Sequence, residues 1–104
     1  MHTSNHSPYT PTIHDLNGYG FVHGGAILTL ITHAVQKHLN ISASNIKRLH
    51  CQFKHPVPAN SLIQTHVTPI AASTKSYHVI VEYNLNNHEQ IPAAHATVTT
   101  TSSE

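Results

Sequence analysis

Apolar and polar positions along this chain follow two periods in succession. In the first, Ala26, Ile27, Leu28, Leu30, Ile31, Ala34, Val35 and Leu39 occupy most faces of a helical wheel. A helix that is apolar nearly all round is buried rather than laid on a surface. The pattern predicts a helix over residues 25–38 that ends near Asn40. The period then changes to two. Leu49, Cys51 and Phe53 alternate with His50, Gln52 and Lys54, which reads as a strand, and Pro56 and Pro58 bracket a turn after it. Residues 61–68 form a second strand, with Ile63, Thr65 and Val67 on one face. Ser73-Thr74-Lys75 is a turn. Tyr77, Val79, Val81, Tyr83 and Leu85 alternate strictly, the clearest strand of the chain. Asn86-Asn87 suits a tight hairpin, because Asn tolerates positive φ. Residues 91–100 are the last strand, small and β-branched, with Pro92 tolerable near its start.

The order is therefore an arm, one buried helix and four strands joined by short connections. Hairpin-linked strands make an antiparallel sheet. A lone helix that is apolar all round must be wrapped by that sheet, which is an α+β arrangement. Residues 1–16, with Ser7-Pro8 and Thr10-Pro11, read as an extended or loosely ordered arm. Residues 17–100 form the domain, and residues 101–104 a frayed polar tail.

Composition narrows the function. The 104 residues fit one domain, small enough that oligomerisation would help to stabilise it. Only 9% of residues are charged, which suggests that another subunit covers part of the surface. A formal net charge of +1 provides no field for nucleic acid or an anionic membrane. The longest apolar stretch, residues 26–35, is broken by Thr29, Thr32 and His33 and is too short to span a bilayer. The first residues lack a signal-peptide pattern. Cys51 is the sole cysteine, so no intramolecular disulfide forms, and a reducing, cytoplasmic compartment is expected. Twelve histidines are scattered along the chain; only His2 and His6 have i, i+4 spacing, and no cysteine cluster accompanies any of them. No metal site and no cofactor are expected.

The segment that carries chemistry is Leu16-Asn17-Gly18-Tyr19-Gly20-Phe21-Val22-His23-Gly24-Gly25-Ala26. Two glycines lead into a buried helix. Its first N–H groups have no intrahelical partner, and its dipole adds partial positive charge there. Gly24 and Gly25 have no side chains to block approach, so a carbonyl oxygen could be polarised against these N–H groups as it gains charge. His23 lies at the mouth, and Asn17 could offer an amide to the same pocket. Glycines here also let a chain turn tightly into a helix with no further role.

Leu16-Asn17-Gly18 followed by Val22-His23-Gly24-Gly25-Ala26, with Asn and His six residues apart, resembles the motif of hotdog-fold thioesterases of the phenylacetate-pathway and 4-hydroxybenzoyl-CoA type. The later Phe53-Lys54-His55-Pro56-Val57 resembles the strand end that follows that family's central helix, and Ser73-Thr74-Lys75-Ser76 falls where the family often has a Gly-Arg or Gly-Lys turn. The likeness runs over residues 17–100. It implies a hotdog fold, one long buried central helix wrapped by a curled antiparallel β-sheet. It also implies an acyl-CoA or acyl-carrier-protein thioester as ligand, and a homodimer or homotetramer. By the same resemblance Gly24 supplies the polarising N–H, His23 shapes the site, and Asn17 orients water or substrate. Gly25, His33 and Lys75 are candidates for substrate contact, Lys75 with a CoA phosphate.

Two departures matter. Where the family has a helix carboxylate, nine residues after the motif histidine, this chain has Thr32, which needs a neighbouring base to act as a nucleophile. His33 is adjacent, but consecutive helix residues point about 100° apart. Glu82 lies on the strand face opposite Val79, Val81 and Tyr83, so it should point away from the helix. The strand that usually precedes the motif is also missing, leaving the sheet without an edge strand. Three functions stay open: an acyl-thioesterase using Asn17, His23, Gly24 and Thr32, a non-catalytic acyl-thioester binder, and a hydratase or dehydratase of acyl thioesters.

Overall fold

The computed structural model describes residues 8–70, 75–85 and 89–101, together with the backbone of residues 4–5. The helix, α1, runs over Gly24–Leu39 and buries Ala26, Ile27, Ile31, Ala34 and Val35. It ends at Asn40, whose φ of 57° and ψ of 51° are left-handed. Asn is the side chain besides Gly that most readily adopts that conformation, and the Ile41 N–H then bonds back to the Gln36 carbonyl at 3.1 Å.

The strands are β1 (Ser4–Asn5), β2 (Ile46–Phe53), β3 (Leu62–Pro69), β4 (Ser76–Asn84) and β5 (Ile91–Thr100). They form one sheet in the order β1-β3-β4-β5-β2, antiparallel throughout. Helix and sheet enclose one core. Ile31, Val35, Val67, Val79, Val81, Ala94 and Val98 are fully buried in it. Each of the larger side chains contributes about 1.5–3 kcal/mol by leaving water. Val79, Val81 and Tyr83 face the helix as expected. Glu82 takes the opposite face, where its carboxylate meets the His66 ring at 2.7 Å.

Pro92 is accommodated by an irregularity in β5. Val81 pairs with Ala94 and Glu82 with Pro92, so Ala93 is an extra residue, a bulge. Its carbonyl turns to accept the Lys54 N–H at 2.7 Å. The bulge thereby ties the start of β5 to the end of β2, where the candidate site lies.

The expected lack of an edge strand is corrected. β1 pairs with β3, and Tyr9 exchanges backbone bonds of 2.7 and 2.9 Å with Ile63. The arm therefore borders the sheet, and residues Ile13–Asp15 form a short 3-10 turn before the motif. The Asn86-Asn87 hairpin and most of the Ser73-Thr74-Lys75 turn fall outside the described residues. At the other side of the sheet, the outer edge of β2 is unpaired among the described strands. No helix among the described residues is long and apolar enough to cross a membrane.

Candidate active site

The approach to α1 is built by local hydrogen bonds. Asn17 begins a turn: its side-chain oxygen accepts the N–H groups of Tyr19 at 2.8 Å and Phe21 at 3.2 Å. Its own N–H bonds to the Phe21 carbonyl at 2.7 Å. Gly20, at φ 82°, supplies the left-handed residue this turn requires. The Asn17 oxygen is thus committed to the loop that delivers the chain to the helix.

His23 is the N-cap of α1. Its Nδ1 accepts the Ala26 N–H at 2.9 Å, and its Nε2 lies 3.3 Å from the His14 carbonyl. A carbonyl only accepts, so the pattern assigns the proton to Nε2 and the lone pair to Nδ1. Both ring nitrogens are occupied. The N–H groups of Gly24 and Gly25 meet no acceptor among the described residues. They are the free donors expected at a helix N-terminus.

Gly24 opens onto a cavity of about 410 Å³, lined also by Phe53, His55, Pro56, Val57 and Ala93. A side chain at Gly24 would grow toward the Phe53 ring, 3.4 Å from the built Cβ. His55 lines this cavity too, a position that the sequence motif did not single out. Its Nδ1 lies 2.8 Å from the Pro92 carbonyl, so Nδ1 carries the proton and Nε2 keeps a lone pair. The sequence signal was present in Phe53-Lys54-His55-Pro56-Val57, but the Pro92 partner lies 37 residues on.

The remaining candidates lie elsewhere. Thr32 donates its hydroxyl to the Leu28 carbonyl at 2.9 Å. Gly24, Leu28 and Thr32 follow one another at i, i+4 along one flank of the helix. Thr32 stands eight residues beyond Gly24, about 12 Å along the axis. His33 lies on the opposite flank, in cavities bounded by Tyr9 and Leu30. Lys75 is exposed at the other end of the sheet, where its carbonyl accepts the Thr100 N–H. Seven residues of β5 separate Ala93 from Thr100, roughly 20 Å.

One carboxylate does lie near the motif. Asp15 accepts the Tyr9 hydroxyl at 2.6 Å and the Thr12 N–H at 2.8 Å. The Tyr9 bond, followed by that from Thr12, holds the Asp15 carboxyl below its ordinary value. The same bond to Asp15 raises the Tyr9 phenol. Asp15 shares a cavity with His23 and His33, on the arm side of α1. Burial raises the Cys51 thiol, which disfavours the thiolate. Among the described residues, no group of three or more His, Cys, Asp and Glu side chains is arranged to hold a metal ion.

Comparison with solved structures places this architecture. The 4-hydroxybenzoyl-CoA thioesterase from Pseudomonas sp. strain CBS-3 superposes with a TM-score of 0.77 at 9% identity, covering 94% of this chain and 83% of that one. An acyl-CoA hydrolase variant from Staphylococcus aureus gives 0.75 at 17% identity, covering 98% and 67%. A hexameric thioesterase from Yersinia pestis gives 0.71 at 14% identity, covering 97% and 88%. At these identities the likeness is one of fold, and the fold is the hotdog. No curated protein matches the chain. The model of the acyl-CoA thioesterase N-terminal domain matches residues 12–101. With its hotdog fold and with Gly24 and Gly25 leading a buried helix, the chain belongs to the acyl-CoA thioesterase N-terminal domain family.

Proposed function

We propose that this domain binds an acyl-CoA thioester with its carbonyl oxygen on the N–H groups of Gly24 and Gly25, and hydrolyses it to a carboxylic acid and a thiol. The observation that carries the reading is the pair of unpartnered N–H groups that lead α1, the first of them on Gly24, which lines a cavity of about 410 Å³. Preorganised donors of this kind stabilise charge that develops on the carbonyl oxygen. His55 is the base within the same cavity. Its Nε2 takes a proton from water as the water oxygen bonds to the carbonyl carbon. The tetrahedral intermediate then collapses, the carbon–sulfur bond breaks, and the departing sulfur takes the proton back from His55. His23 contributes by capping the helix and fixing the direction of the free N–H groups. Asn17 contributes by holding the loop that sets His23 in place.

A homodimer or higher oligomer fits this reading. The outer edge of β2 is unpaired among the described strands, and Phe53 at its end is 55% exposed. A second copy along that edge would cover the cavity mouth and complete its wall. The free Cys51 fits a reducing, cytoplasmic setting.

The test is thiol release from short, long and aromatic acyl-CoA esters, with His55→Gln beside the parent. Glutamine can keep a hydrogen bond to the Pro92 carbonyl but cannot accept a proton. The expected result is release by the parent and a fall of about 10²–10⁴-fold in the variant. Release that His55→Gln leaves unchanged removes the base. Saturable CoA-ester binding without release favours a non-catalytic binder built on the same N–H pair.

A further inference from the structure

The arm and the helix enclose a groove that the thioester reading does not use. A cavity of about 280 Å³ is lined by Tyr9, Leu30, His33, Ala34, Lys37 and Ile63, among others. It continues past Tyr9, Leu30 and His33 into a second cavity of about 330 Å³ that ends at Asp15 and His23. The groove lies across α1 from Leu28 and Thr32. Leu30 and Ala34 run at i, i+4 along its apolar side, and His33 and Lys37 at i, i+4 along its rim. The backbone bonds between Tyr9 and Ile63 fix its far wall.

Its two ends differ in charge. At one end Asp15 is the only carboxylate among the described residues lining either cavity, and it already holds the Tyr9 hydroxyl and the Thr12 N–H. At the other end Lys37 brings an exposed ammonium on an aliphatic stem that extends the apolar wall. Between them the lining of the first cavity is mainly Pro8, Tyr9, Leu30, Ala34 and Ile63. The complement is an apolar chain with one anionic head, aligned with the head away from Asp15. The C-terminal dipole of α1 opposes an anion near Lys37, but with about half an elementary charge against the whole charge of the lysine.

We infer that this groove is a second ligand site, for a medium-chain carboxylate, with the head at Lys37 and the tail over Tyr9, Leu30 and Ile63. The volume of about 280 Å³ lies at the small end of ligand cavities, which suits a chain of medium length. His33 at the rim offers a ring N–H to the same head. The inference is independent of thioester hydrolysis, since it concerns binding on the other flank of the helix.

The test uses sodium decanoate with the full chain, followed by calorimetry and by methyl NMR of Leu30, Ala34 and Ile63 in the groove and of Val22, Val57 and Ala93 in the cavity beside Gly24. Decyltrimethylammonium, with the same tail and the opposite charge, is the control. The variants are Lys37→Glu, on the exposed rim, and Leu30→Gln, on the half-buried wall, each checked for an unchanged thermal midpoint. The expected result is saturable decanoate binding with shifts at Leu30, Ala34 and Ile63. Lys37→Glu should weaken decanoate about fivefold or more and strengthen decyltrimethylammonium. Leu30→Gln should weaken both. Three outcomes overturn the site: no saturable binding at about 1 mM, an affinity for decanoate that Lys37→Glu leaves unchanged, or shifts confined to the methyls of Val22, Val57 and Ala93, beside Gly24. The last would put the acid in the cavity proposed for the thioester.

Discussion

Gly24 and Gly25 are adjacent, yet a side chain at each should act differently. A Cβ at Gly24 would lie 3.4, 3.7 and 3.9 Å from atoms of the Phe53 ring, the outer range of ordinary contact. The fold therefore accepts a side chain there, directed into the cavity. Gly24→Val adds an isopropyl group in front of the free N–H donors, and valine in a helix costs under about 1 kcal/mol relative to alanine. Loss of one such donor contact typically lowers kcat by about 10²–10³-fold, some 2.7–4 kcal/mol. A Cβ at Gly25 would instead sit 3.2 Å from Nδ1 and 3.3 Å from Cε1 of His23. The ring must shift, and the 2.9 Å bond from the Ala26 N–H to Nδ1 weakens. Loss of an N-cap costs about 1 kcal/mol, or about 4–8 °C in a domain of this size. The assay is thiol release from the best CoA ester, with thermal unfolding of each variant. Gly24→Val should lose activity and keep its midpoint near that of the parent; in Gly25→Ala the weakened cap should offset the gain of about 0.8–1 kcal/mol that alanine brings to a helix in place of glycine, leaving the midpoint near that of the parent. Full release by a folded Gly24→Val would refute the oxyanion contact. A midpoint in Gly25→Ala raised by that full gain would refute the cap.

Three further outcomes follow from the same contacts. Asp15→Ala removes the acceptor of three hydrogen bonds, from the Tyr9 hydroxyl and from the N–H and hydroxyl of Thr12, and should cost about 1–2 kcal/mol in urea unfolding at pH 7. The folded Asp15 carboxyl lies below its unfolded value, so this contribution is present above about pH 4 and is lost as the pH falls through the folded value. The parent and Asp15→Ala unfolding curves should converge in acid, and a gap that persists there would contradict the pairing. Thr32→Ala removes a hydroxyl that only bonds back to Leu28, so thiol release should be unchanged; a large loss would return Thr32 to the catalytic set. Ile31→Ala, at a position with no exposure, should cost about 2–5 kcal/mol in urea unfolding.

Much of the frame was legible because it is written in local periodicity. The all-round apolar run specified a buried helix over residues 25–38, and the helix is Gly24–Leu39. Strict alternation from Tyr77 specified which face of β4 meets it. That the N–H groups of Gly24 and Gly25 meet no acceptor among the described residues was legible too, because glycines that open an apolar run stand in the first turn of a helix. What local patterns could not give were the long-range partners. The Ala93 bulge depends on register between β4 and β5. The bridge from Tyr9 to Ile63 spans more than fifty residues, so the arm read as loose. Asn17 looked available to a substrate, although Asn17-Gly18 is also a turn signal, and the turn takes its oxygen. His55 read as part of a strand end, because only the Pro92 carbonyl defines which ring nitrogen stays free.

The geometry also explains why threonine at position 32 does not by itself decide against hydrolysis. Two helical turns and about 12 Å separate it from Gly24 along one flank. No side chain of ordinary length spans that distance, so a carboxylate at position 32 could not reach a carbonyl held by Gly24 of the same chain. Such a group could act only from a second copy whose helix runs past the first. In the proposed dimer, such a copy would lie along the edge of β2 that is unpaired among the described strands, beside the exposed Phe53. His55 is different: it shares one cavity with Gly24, and its orientation is set within the chain by Pro92. The base proposed at His55, two residues beyond β2, does not depend on what occupies the helix flank. Replacement of the helix carboxylate by Thr32 is therefore compatible with an intact hydrolytic site, provided that His55 does the work assigned to it.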